Sequence, residues 1–378
     1  MHICRLSQRM YKPIRFIPQE KSDFYTTVKK RVASYFSEKK ISRNANGAMV
    51  LKSIVLIAAY VFSFIIILFA GLPWGVNLLF WSIMGFSLAG IGMSVMHDAN
   101  HGAYSKSAIV NYIMGHTLTM IGGSVFNWKL QHNNLHHMFT NIVHVDDDIS
   151  DKPMLRFSPH TKVNATHRFQ HLYCIFFYGI STFYWILAKD FMQLYRYSKF
   201  GVNKSTPSQN RWVIARLLIS KIAYFFVMLV VPTLLLKIPF YELIVGYLLM
   251  HFISGIVLTF VFQLAHTVEG TTHPLPIENG IIENDWAIHQ METTMNFAPD
   301  NKILSWYVGG LNYQVEHHLF PKVCHVHYPQ IATIVKQTAS EFGIKYLEHK
   351  SFKDALNAHF QMLASLGKLP TVDEAIAG

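Results

Sequence analysis

Cysteine is scarce and odd in number in this sequence: Cys4, Cys174 and Cys324, with no CxxC pair. Three such residues imply no disulfide framework, and reduced thiols suit a cytosolic face. Charge is scarce as well. Asp, Glu, Lys and Arg together make up 15% of the chain, against about 25% in an ordinary soluble domain. That deficit excludes the pair of soluble domains that 378 residues would otherwise suggest. The amino-terminal stretch is basic but has neither a short apolar run nor a small-residue cleavage site, which excludes a secretory signal peptide. No internal repeat or low-complexity segment is present. No nucleic-acid-binding motif accompanies the net charge of +11, so the basic excess is assigned to a membrane surface rather than to nucleic acid.

What the sequence does have is apolar surface, 51% of its residues. Four runs are long enough to cross a bilayer. Ser53–Ala70 and Trp74–Met96 are uncharged and separated by the turn Gly71-Leu72-Pro73. Trp212–Leu236 carries Arg216 and Lys221 in its first turns, both placed to snorkel to the interface. The last, Phe240 to about Ala265, follows the turn Lys237-Ile238-Pro239. The expected fold is an all-α integral membrane protein: four transmembrane helices in two hairpins, with a cytosolic helical cap.

Twelve Lys and Arg precede the first span, which places the amino terminus inside. The expected organisation follows: a basic cytosolic segment (1–52), a first hairpin (53–96), a cytosolic region (97–211), a second hairpin (212–265) and a cytosolic cap (266–378). Two further apolar runs, Ala108–Phe126 and Leu172–Leu187, read as interfacial or re-entrant, since an odd extra span would break this topology. For Ala108–Phe126 a buried cytosolic helix is the alternative.

There are 21 histidines, and their spacing matters more than their number. His97 and His101 stand at i and i+4, on one face of a helix leaving the membrane. His167 and His171 repeat that spacing and read as a solvated or hydrogen-bonded face. His132, His136 and His137 stand at i, i+4 and i+5; on an α-helix the first two share a face and His137 points about 100° away. Gln314, His317 and His318 stand at i, i+3 and i+4 along one stripe. His266 ends the fourth span. The expected topology brings all of them to one side of one membrane.

Eight histidines and a glutamine exceed the four ligands of structural zinc and suffice for two metals with open positions. A metal–oxygen site beside hydrocarbon points to oxidation of a lipid chain, because cleaving an unactivated C–H bond is beyond side-chain acid–base chemistry.

Among neighbouring groups, Asp98, Asp146, Asp148 and Glu316 are candidates to accept the ligands' second N–H groups, with solvated surface acids as the alternative. Trp128 either lines a substrate channel or is an interfacial aromatic. His251, 15 residues before His266 and so about 22 Å along a helix, is too far to join the centre and reads as a neutral histidine bonded to a neighbouring helix.

These motifs, with HNNLHHMFTN followed by Asp146–Ile149 and QVEHHLFPKVCHVHYP after the fourth span, resemble the membrane fatty-acid desaturases. The resemblance is closest to the front-end subgroup with Gln in the third histidine box, linoleoyl-type 6-desaturases among them. It covers roughly His97 to Gln330. It implies a di-iron centre that uses O2 and two supplied electrons to desaturate an acyl chain of a lipid or CoA ester. The implied ligands are His97, His101, His132, His136, His137, His266, His317 and His318, with Gln314 bound directly or through water. Many front-end enzymes carry a fused cytochrome b5 domain with an HPGG motif, which is not in this sequence, so the expected electron donor is a separate b5-like or ferredoxin-like protein. The alternatives are a di-iron hydroxylase of similar architecture and, from another class, a histidine-rich metal transporter.

Overall fold

The computed structural model describes residues 14–18, 23–149, 154–236, 239–368 and 370. Cys4 and the outer-turn residues Lys237 and Ile238 lie outside the described residues. The chain divides into two compact units. One is drawn from the segments up to Arg43, from Gln131–Cys174 and from Val261 onward; the other comprises Asn44–Leu130 and Ile175–Phe260.

The second unit holds most of the long apolar helices. Helix α1 (Asp23–Glu38) belongs to the other unit, and α2 (Gly47–Phe69) opens this one, with Asn46 accepting a hydrogen bond from the Met49 amide as its cap. The left-handed Gly71 (φ +61°) lets the chain turn back at once into α3 (Trp74–Asn100). A π-helical turn, Ile91–Val95, interrupts α3 just before the first histidine pair. A short surface helix α4 (Ala108–Gly115) follows, then α5 (Val125–Trp128). Ile109, Tyr112 and Ile113 of α4 are 72%, 63% and 59% exposed, whereas Leu118 and Ile121 further along the same apolar run are buried.

Helices α6 (Ala165–Gly179) and α7 (Ser181–Lys199) meet at a 55° bend. Helices α8 (Pro207–Leu235) and α9 (Phe240–His266) complete the four that are long and apolar enough to cross a membrane; the bent pair adds a fifth if it counts as one span.

Helix α8 starts five residues earlier than the apolar run suggests. Thr206 and Gln209 form a reciprocal capping box and Pro207 occupies the first turn, where its missing N–H costs nothing. A π turn at Phe226–Val230 precedes Pro232, which has no amide to give to the preceding turn. Close packing holds the unit together: a Cβ on Gly85 would stand 2.6 Å from the Met250 carbonyl oxygen, so α3 and α9 touch through backbone there.

One sequence expectation fails in this unit. Lys221 does not snorkel. Its ammonium is buried and donates to Asp190 Oδ2 and to the Gly122 carbonyl, each at 2.6 Å. Asp190 also accepts from the Ser124 amide and Trp185 Nε1, and its carbonyl accepts from Asn127. A partnered carboxylate inside the unit outcompetes the distant interface. His251 is bonded within the unit as well, 2.7 Å from the Tyr224 hydroxyl and 3.3 Å from that of Thr182.

The other unit is a helical assembly with two minute parallel pairings, β1 (Arg15–Phe16) with β2 (Ile281–Ile282) and β3 (Asn296–Phe297) with β4 (Glu348–His349). Its helices include α10 (Trp286–Thr293), α11 (Gln314–Leu319), α12 (Tyr328–Glu341) and α13 (Phe352–Leu366). Phe24, Val28, Val32 and Phe36 form the buried stripe of α1, in one core with Ile331 and Val335 of α12 and with Val315 and Leu319 of α11. Arg31 reaches Glu341 at 2.6 Å and Thr338 at 3.0 Å along the same seam. His167, which with His171 repeats the spacing of the first histidine pair, serves as a cap: its Nδ1 accepts from the Asn164 amide.

Candidate metal centre

The second histidine box is not α-helical. Residues Lys129–His136 form a π-helical segment, and the His137 amide donates to the His132 carbonyl at 3.0 Å, an i to i+5 bond. The wider turn cancels the angle that separates i from i+5 on an α-helix. His137 therefore does not point away from His132: their Nε2 atoms lie 3.2 Å apart. His132 and His136 stack with ring centroids 5.1 Å apart.

The third box is on the short helix α11, where Gln314, His317 and His318 are all buried. His266 closes α9 and is fully buried. From these elements two trios form. One nitrogen from each of His136, His266 and His318 lies within 4.8 Å of the other two, and the same holds for His137, His317 and His318. His318 is common to both. Gln314 sits in the first turn of α11, one turn before this pair of histidines.

The hydrogen bonds around the rings decide which nitrogen faces inward. His136 Nδ1 lies 2.9 Å from Asp146 Oδ2, and His132 Nδ1 lies 3.1 Å from Asp148 Oδ2. A carboxylate can only accept, so both rings carry hydrogen on Nδ1 and leave the Nε2 lone pair for something else. His266 Nδ1 faces the Thr293 carbonyl at 3.3 Å with the same result. The Nε2 atoms of His136 and His266 are buried and have no hydrogen-bond partner among the described residues. Inward lone pairs without donors, backed by acceptors, are what a soft-to-borderline metal ion satisfies. The residues fit a metal centre. Burial opposes protonation of His136, yet Asp146 beside it and Asp148 together outweigh burial and hold the ring above the ordinary histidine value.

The carboxylates expected around the boxes are placed differently from one another. Asp146 is wholly buried and also accepts from the amides of Asn141 and Asp148. Asp148 accepts from Gln131 as well as facing His132. Asp98 Oδ1 is 3.8 Å from His97 Nδ1, beyond hydrogen-bond length. Glu316 departs from the expectation: its oxygens accept from Asn296 Nδ2 at 2.8 Å and the Tyr346 hydroxyl at 2.9 Å. It shares a short helix with His317 and His318 but leaves by another face. Burial pushes its carboxyl up to about 7 against those two hydrogen bonds.

In the other unit, His97 and His101 stand with ring centroids 4.7 Å apart. The buried Trp128 packs edgewise on both, at 5.7 and 5.6 Å.

Sequence reasoning missed the support given by α10 and by the residues just after the second box. Gln290 Oε1 lies 2.8 Å from His318 Nδ1 and 2.8 Å from the Thr140 hydroxyl. Asn141, in the left-handed region at φ 59°, hydrogen-bonds the carbonyls of His266, Thr272 and Thr293. Asparagine enters the left-handed region more readily than most residues, which suits it to this turn. Nothing in spacing marks Gln290.

The model of the family described as fatty acid desaturase matches residues 72–350. An sn-1 linoleoyl-lipid 6-desaturase of Arthrospira platensis is 37% identical over 92% of this chain and 93% of its own length. The protein of the same description from Synechocystis sp. is 36% identical over 92% and 97%. An acyl-lipid (8-3)-desaturase of Physcomitrium patens is 37% identical over 94% of this chain and 74% of its own.

Proposed function

This chain belongs to the fatty acid desaturase family, and from that premise we propose that it is a front-end enzyme acting on a polyunsaturated acyl chain of a membrane lipid. It is a membrane-embedded oxidoreductase with a lipid substrate, and its buried histidine clusters could hold a metal cofactor. The finer proposals are the metal, the co-substrate, the electron source and the orientation. We take the metal to be a pair of iron ions and the oxidant to be O2, with electrons from a separate b5-like or ferredoxin-like protein. The basic amino-terminal segment and the sparse charge of the outer turns support placing both termini and the histidine boxes on the cytosolic side.

The observation that carries the reading is the pair of buried histidine trios sharing His318. The proposed ligands are His132, His136, His137, His266, His317 and His318, with Gln314 one turn before the last two. His97 and His101 join the set on the resemblance of their motif.

When bound, the iron pair supplies the oxidising chemistry needed to remove two hydrogens from adjacent carbons. The chain's own residues do the rest. Asp146, Asp148 and the Thr293 carbonyl hold the Nδ1 hydrogens of His136, His132 and His266, fixing tautomer and ring orientation. Trp128, stacked edgewise on the first histidine pair, is the proposed wall against which the acyl chain lies. Regiochemistry then depends on which C–C bond is held in near-attack position.

The front-end assignment draws on the relatives named 6- and (8-3)-desaturases. The test is expression in a host lacking polyunsaturated lipids, with linoleic acid and a competent electron donor supplied. A new double bond between the existing ones and the carboxyl end, lost in His136→Ala at unchanged protein level, is the expected result. An unaltered fatty-acid profile, or a hydroxylated product in place of an alkene, counts against it.

A further inference from the structure

The side chains that face Nδ1 of the buried histidines are not alike. His132 and His136 face carboxylates, Asp148 and Asp146. His318 faces the neutral amide oxygen of Gln290. His318 is also the ring common to both trios.

An amide has two faces, and only one lets His318 serve as a ligand through Nε2. If Gln290 presented its NH2 group, His318 Nδ1 would have to accept, and the hydrogen would move to Nε2. Ligation through Nε2 therefore requires the oxygen face, which is the face Gln290 presents to His318 Nδ1 at 2.8 Å. The Thr140 hydroxyl borders the same contact, 2.7 Å from the His136 carbonyl, 2.8 Å from Gln290 Oε1 and 3.2 Å from His318 Nδ1. This orientation leaves Gln290 Nε2 buried and without an acceptor among the described residues.

We propose that Gln290 is a positioning residue for the metal centre: its amide oxygen fixes His318 in the tautomer that presents Nε2, and its neutrality keeps the shared histidine a weaker donor than His132 and His136. This rests on the reading of His318 as a ligand. A carboxylate in that place would pull harder on the Nδ1 hydrogen, make the ring more basic and favour the oxidised metal.

The test uses the full chain, purified in lipid nanodiscs and loaded with iron, with iron stoichiometry, loss to a competing chelator and midpoint potential as readouts. Gln290→Leu, which keeps the bulk and removes the acceptor, is expected to lose iron affinity on the order of 10- to 100-fold. Gln290→Glu is expected to bind iron like the parent with a lowered midpoint potential. An unchanged potential in Gln290→Glu overturns the proposal, and so does unchanged affinity in Gln290→Leu. Should Gln290→Leu not fold, Gln290→Glu alone decides. His318→Ala separates this inference from the reading beneath it. An iron deficit there with full affinity in Gln290→Leu removes the positioning role only, whereas a parent protein that binds no iron removes both.

Discussion

His136 Nδ1 and Asp146 Oδ2 meet at 2.9 Å with both side chains wholly shielded from solvent. Ten residues separate them, and the chain returns through two left-handed residues, Asn141 at φ 59° and His144 at φ 66°. Asp146→Ala leaves a buried N–H without an acceptor, which costs about 1–3 kcal/mol before any metal is considered. The expected outcome is a lowered melting temperature of the metal-free protein, together with iron affinity reduced roughly 10- to 100-fold. Differential scanning fluorimetry and chelator competition measure the two effects separately.

The buried Lys221–Asp190 pair makes a second prediction. Removing one partner strands the other charge, at a cost of about 3–5 kcal/mol. Lys221→Met and Asp190→Leu should each destabilise the protein by that order, and the double variant by less than the sum of the two. Thermal unfolding in one detergent across all three variants checks the coupling. Strict additivity would mean that the 2.6 Å contact contributes nothing.

Two glycines of α3 should respond in opposite directions. A methyl group on Gly85 meets the Met250 carbonyl at 2.6 Å, whereas one on Gly75 meets nothing within 4 Å. Gly85→Ala is expected to cost roughly 1–3 kcal/mol through forced backbone separation. Gly75→Ala should be neutral or stabilising by up to about 1 kcal/mol. Their relative melting temperatures settle the comparison.

His359 gives the pH dependence. It is buried, donates from Nδ1 to the Thr267 carbonyl at 2.8 Å, and burial lowers its pKa from the ordinary 6.5 to about 4. The folded state thus resists a proton that the unfolded chain takes up below pH 6.5. Its contribution is fully present above that pH and is lost as pH falls toward 4, at up to about 1.4 kcal/mol per pH unit. His359→Gln, which retains a donor for Thr267, should flatten the acid limb of stability against pH by one proton's worth. An identical slope would show that His359 does not titrate on unfolding.

The spans and the histidine boxes were legible because each is written locally: an apolar run has a length, and a box has a spacing. The residues that set the geometry were not. The i to i+5 bond from His137 to His132 turns the second box into a π turn, and no feature of KLQHNNLH distinguishes four-residue from five-residue closure. Lys221 in the first turns of an apolar run reads as a snorkelling base until Asp190, 31 residues earlier, is known to face it. Glu316 stands beside two histidines in sequence, yet successive positions on a helix point about 100° apart, and its own partners are Asn296 and Tyr346. Gln290 supports a residue 28 positions away, which is a tertiary fact without a sequence period.

The seam between α1 and α12 has a consequence for synthesis. Arg31 and Glu341 are 310 residues apart, so at 5–20 residues per second the amino-terminal helix leaves the ribosome about 15–60 s before its partner exists. Throughout that interval Phe24, Val28, Val32 and Phe36 have no α12 to cover them, on a helix that also carries Lys29, Lys30 and Arg31.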